Sequence, residues 1–128
     1  MNTASTDIEV RRVYDAGVRD GSATRGRRVF LVDRVWPRGV RKADVPMDGW
    51  VRQVAPSAGL RRWFGHDPGR WAGFRDRYRA ELDGAPERSA VLVDAARHGP
   101  VTLLYSAADT ERNNAVVLRE WLLERLRA

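Results

Sequence analysis

The sequence predicts an α/β protein: a small three-layer sandwich in which a short, mostly parallel sheet of three or four strands is flanked by helices. Three observations lead there. Val29 to Val32 and Val101 to Leu104 are continuous apolar runs of strand-forming residues, the pattern of strands covered on both faces. Segments with helical periodicity lie between and after them, and each is bounded by proline, glycine or capping residues. The length of 128 residues suits one such unit. The chain therefore reads as a polar tail over residues 1–6, expected to be disordered, and a single domain over 7–128.

Taken in order, Ile8, Val10 and Val13 alternate in part with Glu9, Arg11 and Arg12, giving a first strand that ends at Tyr14-Asp15. Residues 15–26 carry Gly17, Gly21 and Gly26 among polar and charged side chains, so an exposed and comparatively mobile loop is expected there. The second strand, Val29 to Val32, should be central, and it stops abruptly at Asp33-Arg34-Val35-Trp36-Pro37-Arg38-Gly39. Pro46 is expected to open a helix carrying Trp50, Val51 and Val54, which Pro56 would stop. Ser57 would cap a further piece whose buried side is Leu60, Trp63 and Phe64.

Asp67-Pro68 is a helix start, and Trp71, Phe74, Tyr78 and Leu82 follow at spacings of three and four on one face. Another helix should run from near Pro86 to His98-Gly99-Pro100, with Gly99 as a left-handed cap and Pro100 preventing continuation. Val101 to Tyr105 is a third strand, and a fourth, if present, is hidden in the connections. The terminal helix, with Asp109 or Thr110 as its cap, should bury Val117, Leu118, Trp121, Leu122 and Leu126.

Composition excludes several functions. There is no cysteine, which removes disulfides, thiolate nucleophiles, iron–sulfur clusters and cysteine-bearing zinc sites. The apolar runs fall far short of the roughly 20 residues that span a bilayer, and no signal peptide is visible, so a cytoplasmic protein with no membrane partner is expected. Neither His66 nor His98 lies at ligand spacing from another histidine or a cysteine, so no metal site and no cofactor are read from the sequence. The net charge is +6, and Lys42 is the single lysine beside 22 arginines. Such arginine use has two readings, phosphate recognition or genomic base composition, and composition does not choose between them.

If the strands are parallel, their carboxyl ends share one rim, where ligands of open α/β sheets bind. Arg34 and Arg38 flank Trp36-Pro37 on this rim, offering guanidinium forks for an anion and an indole face for a base. The same residues also have a structural reading, with Asp33 pairing an arginine and Trp36 buried beneath the loop. Ser106, Asn113 and Asn114 lie after the third strand, where free helix N–H groups favour an anion, although capping is the commoner role for such side chains. Ser106 and Arg112 have the five-residue gap of the phosphatase Cys-x5-Arg loop, but serine lacks the thiolate. His66, beside Asp67, is a candidate acid or base or simply part of a helix cap.

The run Val29-Phe-Leu-Val-Asp-Arg-Val-Trp-Pro-Arg-Gly39 resembles the YeaO-like family, a domain of unknown function catalogued under the number 488. The likeness continues through Arg12-Val-Tyr-Asp15, the Trp50 segment, Phe74-Arg-Asp-Arg-Tyr78 with Glu81-Leu82, Thr102 to Ser106, Asn113-Asn114 and Trp121-Leu122. It implies a small bacterial cytoplasmic α/β protein and supplies no established substrate, cofactor or catalytic residue. Some relatives carry cysteine at the last strand and a later Cys-His-Arg where this chain has Tyr105-Ser106 and two asparagines, so thiol or redox chemistry does not carry over.

The leading expectation is a protein that binds a phosphorylated or otherwise anionic small ligand, a nucleotide being one candidate, through Arg34, Trp36, Arg38, Ser106, Asn113 and Asn114. A rival is a nucleic-acid-binding accessory or regulatory protein using Arg61, Arg62, Arg70, Arg75, Arg77 and Arg79 on helix faces. A third is an enzyme of unknown reaction; no nucleophile comes with an evident base and orienter. Oligomeric state is not legible in the sequence.

Overall fold

The computed structural model describes residues 6–127, so the expected tail lies outside the described residues apart from Thr6. Four strands, β1 (Ile8–Arg12), β2 (Arg28–Leu31), β3 (Gly49–Trp50) and β4 (Val101–Tyr105), form one sheet in the order β1-β4-β2-β3. Every pairing is parallel. β4 and β2 are therefore the interior strands, which is why their sequences run apolar without alternation. Val29 and Leu31 face one side of the sheet with Leu104, whereas Phe30, Val101 and Leu103 face the other.

The four α-helices, α1 (Ala58–Phe64), α2 (Trp71–Gly84), α3 (Ala90–His98) and α4 (Asn114–Arg127), contribute their buried residues to one core, on the Phe30 and Leu103 side. α2 buries Phe74, Tyr78 and Leu82 at the spacing the sequence predicts. α4 presents Ala115, Val117, Leu118, Trp121 and Leu122. Full burial of a leucine or phenylalanine side chain is worth about 1.5–3 kcal/mol, so this face dominates cohesion. Ion pairs from Arg75 to Glu120 and from Arg79 to Glu124, each 2.7 Å, bind the outer edges of α2 and α4.

The opposite face is covered by irregular chain. Val13, Val18, Val40 and Val45 come from the two long connections and pack on Val29, Leu31 and Leu104, with Trp36 and Trp50 at their margin. The glycine-rich segment expected to stand exposed is thus part of a layer: Val18 is 1% and Thr24 5% exposed, and both take part in its turn hydrogen bonds.

Three local expectations change. Pro46 opens no helix; Gly49–Trp50 is the hidden fourth strand, followed by a 3-10 turn at Arg52–Val54. The Asp48 carboxylate accepts from Val29 N at 2.7 Å, Val51 N donates to Leu31 O at 2.9 Å, and Trp50 Nε1 donates to Asp33 O at 2.7 Å. Asp48 N also donates to Val29 O at 2.7 Å, so the Asp48 and Val51 N–H groups that a helix would have paired internally are spent on β2. Gly99 is extended rather than left-handed, so Pro100 alone enforces the end of α3. The left-handed cap is instead Gly65 (φ 53°) after α1, whose N–H donates to Arg61 O at 3.1 Å. Finally, α4 begins at Asn114, so the capping residue is Asn113 rather than Asp109 or Thr110. Among the described residues, no helix is long and apolar enough to cross a membrane.

Candidate functional site

The parallel sheet brings the ends of β2 and β4 side by side, and a cleft of about 490 Å³ opens there. Its volume lies within the range of small-molecule sites. The buried part of its lining is formed by Phe64 and Phe74, 7% and 2% exposed, whose rings stack at 4.4 Å, together with Pro56 and Asn113. Half-buried Asp33, Ser106 and Asn114 join them, while exposed Arg34, Val35, Arg61 and His66 form the rim with half-buried Arg112.

Asp33 directly follows the interior strand β2 and faces the segment leaving β4. Its Oδ2 accepts from the Ser106 hydroxyl at 2.7 Å and from the Ser106 backbone N–H at 2.9 Å. Burial pushes its carboxyl above the usual range, against the opposing pull of the Ser106 bonds, the Asn114 amide and the Arg61 charge. Among the described residues Asp33 forms no ion pair, contrary to the arginine pairing considered from sequence. The sequence reading missed its importance. A carboxylate at the end of a central parallel strand was the available signal, because that position faces the rim by topology.

The segment after β4 organises itself. Asp109 Oδ1 accepts from Glu111 N and Arg112 N, both at 2.9 Å, and Oδ2 accepts from the Arg112 guanidinium at 3.1 Å. The backbone bonds to Arg112 and Glu111 hold the Asp109 carboxyl below its ordinary value. Asn113 Oδ1 caps α4 by accepting from Val116 N at 3.1 Å, and its Nδ2 donates to Asp109 O at 3.0 Å. Asn114 Nδ2 donates to Val32 O at 3.0 Å and ties the start of α4 to β2. Two of the backbone amides that would cradle a phosphoryl group in a phosphatase loop, those of Glu111 and Arg112, are therefore occupied by an internal carboxylate.

The six residues singled out from sequence divide accordingly. Arg34, Ser106, Asn113 and Asn114 line the cleft; Trp36 and Arg38 do not. The Trp36 indole donates to Val40 O at 2.6 Å and meets Trp50 edge-on with ring centroids 5.3 Å apart. The Arg38 backbone carbonyl accepts from the Tyr14 hydroxyl at 2.7 Å, and its side chain is exposed. In their place the cleft gains Arg61, Arg112 and the aromatic pair Phe64 and Phe74, brought in by α1, α2 and the loop before α4. His66 has a left-handed backbone (φ 58°), the one non-glycine residue of that kind among the described residues, and this strain sits at the rim. No cluster of His, Cys, Asp or Glu suited to a metal ion occurs among the described residues.

This sheet, with Asp33 at the end of β2 and Ser106 at the end of β4, is carried by a chain whose residues 7–128 match the family model described as the inactive DUF488-N3 subclade. The chain belongs to that family. It is 41% identical over 116 residues to the uncharacterized protein YeaO of Escherichia coli (strain K12), covering 91% of this chain and 96% of that protein. It is 38% identical over 120 residues to the uncharacterized protein Rv3073c of Mycobacterium tuberculosis (strain H37Rv), covering 91% of this chain and 94% of that protein. An uncharacterized protein of Mycobacterium bovis, Mb3100c, is similar at the same 38%. No solved structure matches the chain. The YeaO-like resemblance carried by Val29 to Gly39 is thus that of the whole chain from residue 7 onward.

Proposed function

We propose that this YeaO-like protein binds a phosphorylated or similarly anionic small molecule in the cleft at the carboxyl ends of β2 and β4. The observation that carries this reading is the arginine rim. Arg34 and Arg61 line a cleft of about 490 Å³, and neither has an ion-pair or side-chain hydrogen-bond partner among the described residues. Arg112 adds a third guanidinium whose exposed edge is shared with Asp109. Guanidinium groups beside apolar walls bind phosphate and carboxylate strongly, because neighbouring low-dielectric surface weakens competition from water.

Binding rather than turnover is favoured. The Ser106 hydroxyl donates a hydrogen bond to Asp33, but no third group orients that pair among the described hydrogen bonds, and the family is described as inactive. The helix-face alternative, a nucleic-acid surface, is weakened by the company its arginines keep. Arg75 and Arg79 are paired with Glu120 and Glu124, Arg70 donates to Trp63 O, and the Arg77 guanidinium lies 3.9 Å from the Trp63 ring centroid.

A thermal-shift panel tests this reading, using inorganic phosphate, sugar phosphates, nucleoside monophosphates and short DNA and RNA at low and moderate salt. A ligand at 100 times its Kd adds about 2.7 kcal/mol to stability, a shift of several degrees. The expected result is a shift by a small phosphorylated compound that disappears in Arg61→Ala. A shift by nucleic acid alone, fading with salt and indifferent to Arg61, contradicts the reading.

A further inference from the structure

The cleft is not uniformly basic, and its polarity is informative. One wall carries Asp33, a half-buried carboxylate with no ion pair among the described residues. Both hydrogen bonds from Ser106 reach its Oδ2 and neither reaches Oδ1, while the Asn114 amide also pulls on the carboxyl from beside it. A deprotonated carboxylate only accepts hydrogen bonds, so whatever meets that oxygen must bring an N–H or O–H donor. An all-anionic ligand such as inorganic phosphate would leave it desolvated and repelled.

Three features then constrain the ligand together. The stacked pair Phe64 and Phe74, with Pro56 and Ala107, offers apolar surface to a flat body. Asp33 requires donors on that body, and Arg34 and Arg61 at the rim require an anion attached to it. The volume of about 490 Å³ also greatly exceeds what a lone phosphate would fill.

We infer that the ligand class of this cleft is a mononucleotide whose base edge carries N–H donors, with the base between the apolar wall and Asp33 and the phosphate at Arg34 and Arg61. The inference rests on the anion-binding reading above and narrows it. Guanine fits the requirement best, since its imino N–H and amino group form a donor edge opposite an acceptor. Asp33 then acts in recognition, selecting donor-bearing bases by the cost of leaving its oxygen unmatched.

Isothermal titration of the full chain with four probes decides the matter: guanosine 5′-monophosphate, adenosine 5′-monophosphate, purine riboside 5′-monophosphate and ribose 5-phosphate. Purine riboside monophosphate keeps the flat ring and the phosphate but has no base N–H donor. The expected result is that guanosine monophosphate binds roughly tenfold or more tightly than purine riboside monophosphate and ribose 5-phosphate, the scale of a hydrogen bond to a charged group. Asp33→Asn, which keeps the size and an acceptor for Ser106, should erase that advantage and leave ribose 5-phosphate unchanged. The comparison among probes on wild type needs no variant, so a folding defect in Asp33→Asn cannot obscure it. If ribose 5-phosphate binds as tightly as guanosine monophosphate, the base assignment is overturned while anion binding stands. If no phosphorylated probe binds, both fall.

Discussion

The segments that follow the two interior strands look alike in sequence, each a short run of charged and polar residues after an apolar strand, yet the structure uses them differently. After β2, the segment divides: Asp33, Arg34 and Val35 line the cleft, whereas Trp36 to Val40 fold over the opposite face of the sheet. After β4, the segment stays at the cleft from Ser106 to Asn114, but its polar groups are largely spent on one another. Richness in polar side chains and availability are therefore different things here: Arg34 and Arg61 have no recorded side-chain hydrogen bond or ion pair among the described residues, unlike Asp109, Arg112 and Asn113.

This contrast can be broken by substitution. The largest effect should come from Trp36→Ala, which removes an indole packed on Trp50 and bonded to Val40. A loss of about 3 kcal/mol, or roughly 10 °C in melting temperature, is expected, with ligand affinity intact in the molecules that remain folded. Calorimetric melting alongside titration separates the two quantities.

Next is Asn113→Ala. Loss of the cap on α4 should cost about 1–2 kcal/mol, read as a lowered denaturant midpoint in urea. Restoration by Asn113→Asp or Asn113→Ser, which cap equally well, would show that the residue serves the helix. Failure of both to restore stability would give Asn113 another task.

Asp33→Asn sharpens the comparison through pH. Burial raises the Asp33 carboxyl in the folded state, so ionisation is disfavoured there relative to the unfolded chain. The stability this group contributes is fully present below its unfolded value and is lost as pH rises through its folded value. Relative to wild type, Asp33→Asn should therefore gain melting temperature as pH is raised from acid toward neutral. A difference that stays constant, or falls, across that interval contradicts the burial argument.

The smallest effect belongs to Arg38→Ala. Its side chain is exposed and its structural contact is made by the backbone carbonyl, so stability should change by less than about 0.5 kcal/mol. Its melting curve should overlay that of wild type.

Much of the fold was legible because its strongest signals come from burial on both faces. Val29 to Val32 and, apart from Thr102, Val101 to Tyr105 are apolar because they lie inside the sheet, and the period of Phe74, Tyr78 and Leu82 is the buried stripe of α2. The fourth strand was hidden because two residues, Gly49 and Trp50, are too short to display any period. The burial of Val18 was equally silent, since a lone valine among glycines reads as loop until the sheet face it covers is known.

The site was legible only in part. Strand ends announce a rim, and Arg34 and Ser106 both line the cleft that opens there. Trp36 and Arg38 share the same local sequence, but the chain turns away between Val35 and Trp36, a change of direction that no side-chain pattern records. Arg61, Phe64 and Phe74 belong to helices distant in sequence from both strands, and packing alone carries them to the cleft.

The central claim, that the free arginines of the rim hold an anion, is tested most directly by titrating guanosine 5′-monophosphate into wild type, Arg61→Ala and Arg38→Ala under identical salt. The account predicts that Arg61→Ala weakens binding roughly tenfold or more, the loss of a charge-assisted contact, while Arg38→Ala binds as wild type does. Binding lost in Arg38→Ala and retained in Arg61→Ala would place the ligand on the opposite face and contradict the account.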